Sequence, residues 1–218
     1  MDKTLFKDYQ LFLFDLDGTL VDTKNMIYIC FKKVLEKFFS INVTREEVYK
    51  FVGLPYRDQL ELYTGKLTDK KFEEVLVFHK AHQSAIAHDY ICLTPGAKKL
   101  IDFLKGENKK LGVVTNRLIA STRDYLEHLG VYHNFDFCIT PDIVVNPKPD
   151  PESIFLALKK ASCSCEKTLF VGDSVYDILA GNRANVKTVF TDWDGSGYNF
   201  SDGKPDFFVN DLAQIIWH

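Results

Sequence analysis

Short runs of apolar residues recur along this chain, and segments with helical periodicity separate them. Each run is continuous rather than alternating in polarity, which is typical of strands in a parallel sheet that is covered on both faces. The candidate strands are residues 11–14, 111–114, 135–139, 168–171, 186–190 and 207–209, and the candidate helices between them are 97–104, 120–129 and 152–161. This alternation, with right-handed crossovers, predicts an α/β fold with a Rossmann-like parallel sheet.

One region, from about residue 22 to residue 88, interrupts this alternation with helical patterns alone. Apolar residues between Ile27 and Phe38 fall on one helical face. Thr44 and Glu47 have the spacing of a capping box, so a second helix is predicted there, and residues 68–87 predict a third. We therefore expect an all-helical cap domain at residues 20–91, inserted into an α/β core formed by residues 1–19 and 92–218.

The composition indicates the cellular compartment of the protein and argues against some classes of binding partner. With 27 basic and 30 acidic residues the net charge is −3, which argues against nucleic acid or an anionic membrane as the main partner. The five cysteines lack the spacing of a zinc site, so we expect free thiols in a reducing compartment. The first apolar run is too short for a signal peptide and meets Asp15. We expect a cytoplasmic protein, monomeric by default.

Acidic residues follow the first candidate strand directly. Asp15 and Asp17 are two residues apart, so the alternation of a strand end would point both side chains the same way, and Gly18 permits a sharp departure of the chain. Ligands of open α/β sheets bind beyond the carboxyl ends of the strands. A simple Asp-Gly turn is the alternative interpretation.

Complementary groups follow two other candidate strands. Thr115 and Asn116 offer a hydroxyl and an amide for phosphate oxygens, Asp173 and Asp177 form a second acidic pair, and Lys148 lies between two prolines that restrict the backbone. Taken singly, these residues would suit helix caps or a surface turn. Together they place a hydroxyl, a cation and four carboxylates at one edge of a sheet, which suits Mg²⁺, an aspartyl nucleophile and an acidic proton donor.

These strand-end residues resemble, in the same order, the four motifs of the haloacid dehalogenase superfamily. Residues 15–22 resemble the first motif, Thr115 the second, Lys148 the third and residues 172–177 the fourth. The resemblance covers essentially the whole chain and includes a helical cap inserted just after the first motif. It implies a Mg²⁺-dependent phosphatase that forms an aspartyl-phosphate intermediate.

The resemblance also implies a role for each motif residue. Asp15 would be the nucleophile and a Mg²⁺ ligand, and Asp17 the general acid and base, with its backbone carbonyl on the metal. Asp173 would bind Mg²⁺ directly or through water, and Asp177 would support it. The residues implied in phosphate binding are Gly18, Thr19, Thr115, Asn116 and Lys148.

Within the superfamily, the sequence looks most like phosphoglycolate phosphatases and the related small pyrophosphatase. Residues 51–58 resemble the substrate-specificity loop of their cap, in which Tyr56 and Arg57 would contact the substrate, Arg57 by a bidentate bond to an anion. Alternatively, Arg57 simply starts a surface helix. Arg117 would face the entrance. A late Trp193-Asp194-Gly195 segment also fits this group, although the intervening aspartate departs from its pattern.

Other members of the superfamily fit less well. A dehalogenase would lack the second acid, so Asp17 favours phosphate chemistry. A phosphoryl-transfer mutase acting on a sugar phosphate would need a histidine where this chain has Ile27. Outside these enzymes, a catalytically silent binding scaffold and a phosphoacceptor signalling module are alternatives, but the catalytic side chains are all present and receivers lack an inserted cap. His79 and His82 have no third metal ligand nearby in sequence, so we predict surface positions for them.

Overall fold

A computed structural model of the chain describes residues 3–52, 54–195, 197 and 203–217, which form two compact units. The first unit contains the described residues up to Asp22 and from Cys92 onwards, and the second runs from Thr23 to Ile91. The predicted cap starts three residues earlier, at residue 20. The difference arises because Val21 pairs with Leu93 in a short antiparallel ribbon of the first unit.

Eight strands occur in the described residues, all of them in the first unit. In chain order they are β1 (Leu11–Phe14), β2 (Val21–Asp22), β3 (Cys92–Leu93), β4 (Lys110–Val114), β5 (Phe137–Ile139), β6 (Thr168–Gly172), β7 (Lys187–Thr191) and β8 (Phe207–Val209). Six form one parallel sheet in the order β5-β4-β1-β6-β7-β8, and β2 pairs with β3. The predicted α/β fold with a parallel sheet is confirmed.

The helices flank this sheet in the first unit and make up the second unit. In chain order they are α1 (Lys24–Phe39), α2 (Arg45–Tyr49), α3 (Tyr56–Thr64), α4 (Asp69–Tyr90), α5 (Ala97–Gly106), α6 (Ile119–His128), α7 (Glu152–Ala161) and α8 (Val175–Arg183). Short 3₁₀ turns occur at Lys3–Asp8, Tyr132–Asn134, Pro141–Ile143, Cys165–Lys167 and Leu212–Ile215. None of the helices among the described residues combines the length and the apolar character that a membrane span requires.

Strand β1 is the centre of the sheet, which explains its uninterrupted apolar sequence. It pairs with β4 on one side and β6 on the other, and all four of its residues are completely buried. Leu13 lies between Gly112 and Phe170 in the register. Because the three strands run in parallel and in register, the residues that follow them emerge at the same edge of the sheet.

The second unit is held together by an aromatic-rich apolar core. Phe31, Val34 and Leu35 of α1 are buried in it, as their spacing on one helical face predicts. The predicted capping box starts α2: the Thr44 amide donates to Glu47 at 2.7 Å, and the Glu47 amide donates to the Thr44 hydroxyl at 3.3 Å. Burial of apolar side chains such as Phe31, Val34 and Leu35 supplies most of the stability of such a helical unit.

Two details of the second unit differ from the sequence-based expectations. Helix α3 corresponds to the alternative interpretation, in which Arg57 starts a helix, but it begins one residue earlier, at Tyr56. The predicted surface positions of His79 and His82 are wrong: both residues are partly buried, His79 stacks on Tyr56 with ring centres 4.1 Å apart, and His82 stacks on Phe78 at 5.9 Å. Their rings pack as aromatic surfaces within the unit.

Candidate active site

The ends of three neighbouring strands bring the chemistry-bearing residues of the first unit together. Asp15 follows β1, Thr115 follows β4, and Asp173 follows β6. The ladder continues one residue past the strands, since the Asp15 amide donates to the Val171 carbonyl at 2.9 Å and the Thr115 amide to the Ile139 carbonyl at 3.1 Å. These backbone bonds hold the first residue of each strand-end segment in a defined place.

Lys148 is buried between two of the acidic residues. Its Nζ donates to Asp15 Oδ1 at 2.7 Å, to the Val114 carbonyl at 2.9 Å and to Asp177 Oδ1. Its side chain is only 4% exposed, so the surface-turn interpretation of this residue is wrong. Burial alone would lower the pKa of Lys148, but the charges of Asp15 and Asp177 outweigh it and raise that pKa, so the ammonium stays charged.

The carboxyl group of Asp15 is in an environment that disfavours its negative charge. The pKa of Asp15 is raised to about 7: burial is the largest cause and the charges of Asp177 and Asp17 act in the same direction, while Lys148 acts in the opposite direction. One lysine therefore leaves the charge of this acidic cluster incompletely compensated. An additional cation beside Asp15 would favour its ionised form.

Three carboxylates are close enough to share a cation. Asp15, Asp173 and Asp177 each offer an oxygen, and these oxygens lie within 4.8 Å of one another. Carboxylate oxygens are the ligands that hard divalent cations prefer. The donor set and the incompletely compensated charge of Asp15 therefore fit a divalent cation held by Asp15 and Asp173, with Asp177 beside them.

Asp173 and Asp177 are each fixed by neighbouring hydroxyl groups. The Thr19 hydroxyl donates to Asp173 Oδ1 at 2.9 Å. Ser174 begins α8 in a capping box with Asp177, and its amide and hydroxyl donate to Asp177 Oδ2 at 3.0 and 2.6 Å. Asp177 thus takes part in a helix capping box with one oxygen, as its structural interpretation predicts, and contacts Lys148 with the other.

Gly18 is required at its position by both conformation and space. Its φ is +82°, in the left-handed region, and a Cβ atom placed there would lie 2.1 Å from Asp173 Oδ2. The first-motif loop can therefore approach Asp173 only because residue 18 has no side chain. The Gly18 carbonyl also accepts a 2.6 Å hydrogen bond from Trp193 Nε1, which gives the Trp193 segment a structural role at this loop.

We expect Gly18→Ala to weaken divalent cation binding at least about tenfold, because the added methyl group must displace the Asp173 carboxylate or the loop itself. Titration calorimetry with MgCl₂ measures this directly. Gly130→Ala is the matched control: Gly130 has a similar φ of +69°, but no described atom lies within 4 Å of the place that its new methyl group would occupy. Equal Mg²⁺ affinity of the two variants would contradict the close approach of Gly18 to Asp173.

The side chain of Asn116 is bonded to the backbone of Lys148. Its side-chain Nδ2 donates to the Lys148 carbonyl at 2.9 Å, and its Oδ1 accepts from the Lys148 amide at 3.1 Å. The carboxamide therefore ties the segment that carries Lys148 to the end of β4. A contact between Asn116 and phosphate would consequently use its backbone amide.

Thr115 is buried, with its hydroxyl next to the following loop. The Arg117 amide donates to Thr115 Oγ1 at 3.1 Å, which leaves the hydroxyl proton to donate elsewhere. Helix α6 takes Leu118 as its N-cap residue, so Thr115 is not a helix cap. A buried hydroxyl at a strand end, without a capping function, suits the binding of an anionic oxygen.

Arg117 binds Asp17, a pairing that sequence analysis missed. Arg117 Nε and Nη2 donate to Asp17 Oδ2 and Oδ1 at 2.8 and 2.7 Å, and the guanidinium lies 4.5 Å from the centre of the Tyr125 ring. Burial would lower the pKa of Arg117, but the charge of Asp17 outweighs it and raises that pKa. No local sequence pattern predicts a pair between residues that are 100 positions apart. The single signal in the sequence is an arginine close to a strand end.

Tyr56 and Arg57 lie at the start of α3 in the second unit. Arg57 donates from Nε to Glu61 at 3.0 Å, from Nη1 to Asp69 at 2.8 Å and from Nη2 to the Leu67 carbonyl at 2.9 Å. Hydrogen bonds from Lys66, Arg57 and the Leu67 amide lower the pKa of Glu61 to about 2. Arg57 thus has a structural function within the helical unit, in agreement with the alternative interpretation of this residue.

The sequence also matches a known protein family. The sequence profile of the haloacid dehalogenase-like hydrolases matches residues 12–191. A relative from Oceanobacillus iheyensis, named pyrophosphatase PpaX, is 31% identical over 205 residues, which cover 94% of each chain.

Solved structures share the fold over nearly the whole chain. A putative haloacid dehalogenase-like hydrolase from Bacteroides fragilis superimposes with a TM-score of 0.87 at 23% identity and covers 95% of this chain and 100% of its own. A predicted phosphoglycolate phosphatase from Haemophilus somnus gives 0.86 at 24% identity and covers 95% and 96%. At these identities the structures establish a common fold.

Proposed function

The chain belongs to the haloacid dehalogenase-like hydrolase family, and from the geometry of its site we propose a Mg²⁺-dependent phosphatase that hydrolyses a small phosphorylated metabolite. One observation carries this proposal: the buried Asp15 carboxylate contacts Lys148 at 2.7 Å and shares a cluster of oxygens with Asp173 and Asp177. Such a carboxylate, flanked by a fixed cation and a candidate metal site, is suited to nucleophilic attack on phosphorus.

The first chemical step forms an aspartyl phosphate on Asp15. An Asp15 oxygen bonds to phosphorus while the bond from phosphorus to the leaving oxygen breaks, and Asp17 donates a proton to that oxygen. Lys148 keeps its position through three hydrogen bonds and offsets the charge of Asp15 and of the phosphoryl group. Thr115 and the backbone amide of Asn116 would bind the phosphoryl oxygens, together with backbone groups of Gly18 and Thr19.

The second step hydrolyses this intermediate. A water oxygen bonds to phosphorus, its proton passes to Asp17, and the bond between phosphorus and Asp15 breaks, which regenerates the carboxylate and releases inorganic phosphate. When bound, Mg²⁺ supplies positive charge that stabilises phosphoryl oxygens and favours the ionised Asp15. We assign Asp15, Asp173 and the Asp17 carbonyl as its ligands, with Asp177 supporting them.

The substrate class we propose is a phosphate ester or anhydride whose leaving group carries a second anion, such as phosphoglycolate or pyrophosphate. The relative from Oceanobacillus iheyensis bears the name of a pyrophosphatase, which supports this class. In the first unit, we propose that Arg117 faces the entrance of the active site. We also propose that Tyr56 and Arg57 contact a substrate anion, for which Arg57 would leave its bond to the exposed Asp69.

Phosphate release from a panel of metabolites, with MgCl₂ and with EDTA, tests the function. The panel contains phosphoglycolate, pyrophosphate, sugar phosphates and nucleoside monophosphates. We expect Mg²⁺-dependent release from at least one compound with an anionic leaving group. Isomerisation of a sugar phosphate without phosphate release would instead identify a mutase, and Mg²⁺ binding without any turnover would identify a silent scaffold.

A further inference from the structure

Asp17 is held by a two-point contact. Arg117 Nε and Nη2 donate to the two different oxygens of its carboxylate, at 2.8 and 2.7 Å. Such a bidentate pair fixes the plane of the carboxylate as well as its position. The side chains are 10% exposed for Arg117 and 21% for Asp17, so solvent competes little for these bonds.

Arg117 is in turn fixed by the loop and helix that follow β4. Its guanidinium lies over the ring of Tyr125, and Nη1 lies 3.2 Å from the Tyr125 hydroxyl. Tyr125 is itself 1% exposed. The Arg117 amide donates to Thr115 Oγ1, and its carbonyl accepts from the Thr122 hydroxyl at 3.4 Å. Asp17 is therefore connected through Arg117 to the segment that carries the phosphate-binding threonine.

Asp17 accepts with both of its oxygens in this pair, so the contact fixes the positions of both acceptor atoms. In the second step of the reaction proposed above, water attacks the aspartyl phosphate and Asp17 is the proton acceptor. The orientation of its carboxylate then decides whether an oxygen faces the attacking water.

Building on the proposed function, we propose that Arg117 is a positioning residue that orients the Asp17 carboxylate to take the proton of the attacking water. In that step the water oxygen bonds to phosphorus, the water proton moves to Asp17, and the Asp15–phosphorus bond breaks. Arg117 changes no bond of its own. Its contribution is the geometry of the proton acceptor, which a side chain with a single point of contact cannot reproduce.

With p-nitrophenyl phosphate as the substrate, the two chemical steps can be measured separately, because its leaving group needs no proton. In Arg117→Met, attack by Asp15 on this compound should remain fast, while hydrolysis of the aspartyl phosphate slows by about 10²-fold, a usual loss for impaired acid–base catalysis. Rapid mixing should show a burst of one nitrophenolate per enzyme, followed by slow turnover. Acid-quenched protein should carry more aspartyl phosphate than the wild type.

Matched variants distinguish positioning from a general structural effect. Arg123→Met removes an exposed arginine on α6 that lies 5.4 Å from the ring centre of Tyr132, and it should behave as the wild type. Arg117→Lys should restore little of the lost rate. Asp17→Asn should slow turnover, and adding Arg117→Met to it should cost almost nothing more, because both changes remove the same function.

Two outcomes would overturn the assignment: Arg117→Met without accumulation of aspartyl phosphate, or losses from Asp17→Asn and Arg117→Met that simply multiply. An error in the proposed function gives a different result. In that case Asp15→Asn would still turn over p-nitrophenyl phosphate and no variant would carry a phosphorylated aspartate, whatever the effect of Arg117.

Discussion

Asp15→Asn should reduce phosphate release by at least about 10⁴-fold, because an amide cannot form the acyl phosphate through which the proposed reaction passes. The effect should appear in kcat with any substrate that the wild type accepts. Initial rates with saturating MgCl₂ measure it. Asp102→Asn is the control, since Asp102 is an exposed helical acid paired with Lys98 and should retain full activity.

The same variant should keep its fold and gain thermal stability at high pH. The folded-state pKa of Asp15, raised to about 7, lies above its unfolded value, so its ionisation opposes folding increasingly as the pH rises from about 4 towards 7. Without divalent cations, the melting temperature of Asp15→Asn relative to the wild type should therefore be higher at pH 8 than at pH 4. Substantial retained activity would contradict the nucleophile assignment, and a lower relative stability at pH 8 would contradict the electrostatic account.

Lys148→Met should lower both activity and stability. The change leaves Asp15 and Asp177 buried without their shared cation, and removing one partner of a buried ion pair costs about 3–5 kcal/mol of unfolding free energy. Loss of a fixed charge at the reacting phosphoryl group should reduce kcat by about 10²–10³-fold. Urea unfolding and initial rates measure the two effects, and Lys159→Met, an exposed position on α7, is the control.

The pH dependence of Lys148→Met has a defined direction. Lys148 lowers the pKa of Asp15, so without it this pKa rises further and Asp15 is ionised only at higher pH. With saturating MgCl₂ for both proteins, the residual activity of the variant should therefore reach its plateau at a higher pH than the activity of the wild type. Adding Asp177→Asn should recover part of the lost stability without recovering activity. A fully stable Lys148→Met protein would contradict the ion-pair role of this residue.

Local patterns account for what could be predicted of the fold. The continuous apolar runs correspond to the six strands of the parallel sheet, because a central strand such as β1 is buried on both faces. The Thr44 capping box was recognisable because its two partners are three residues apart. Helix α8 also begins with a capping box, at Ser174 and Asp177, and that signal would have placed it.

In the candidate site, too, the features that local sequence sets could be predicted, whereas contacts between distant residues could not. That Asp15, Thr115 and Asp173 would emerge at one sheet edge follows from their places after parallel strands. The sequence did not indicate that the Asn116 carboxamide binds the Lys148 backbone, or that Arg57 is bonded within the helical unit. For each of these side chains, the sequence offers several other partners of equally suitable chemistry.

Period, capping and strand direction are local properties, so residue patterns were sufficient to predict the α/β fold, the inserted helices and the strand-end positions of the acidic residues. The folded molecule was needed to show that Asp17 pairs with Arg117, that Lys148 is buried between Asp15 and Asp177, and that three carboxylates share one small volume. Such partners depend on the strand order and on close packing, because these bring together polar side chains that are far apart in the chain.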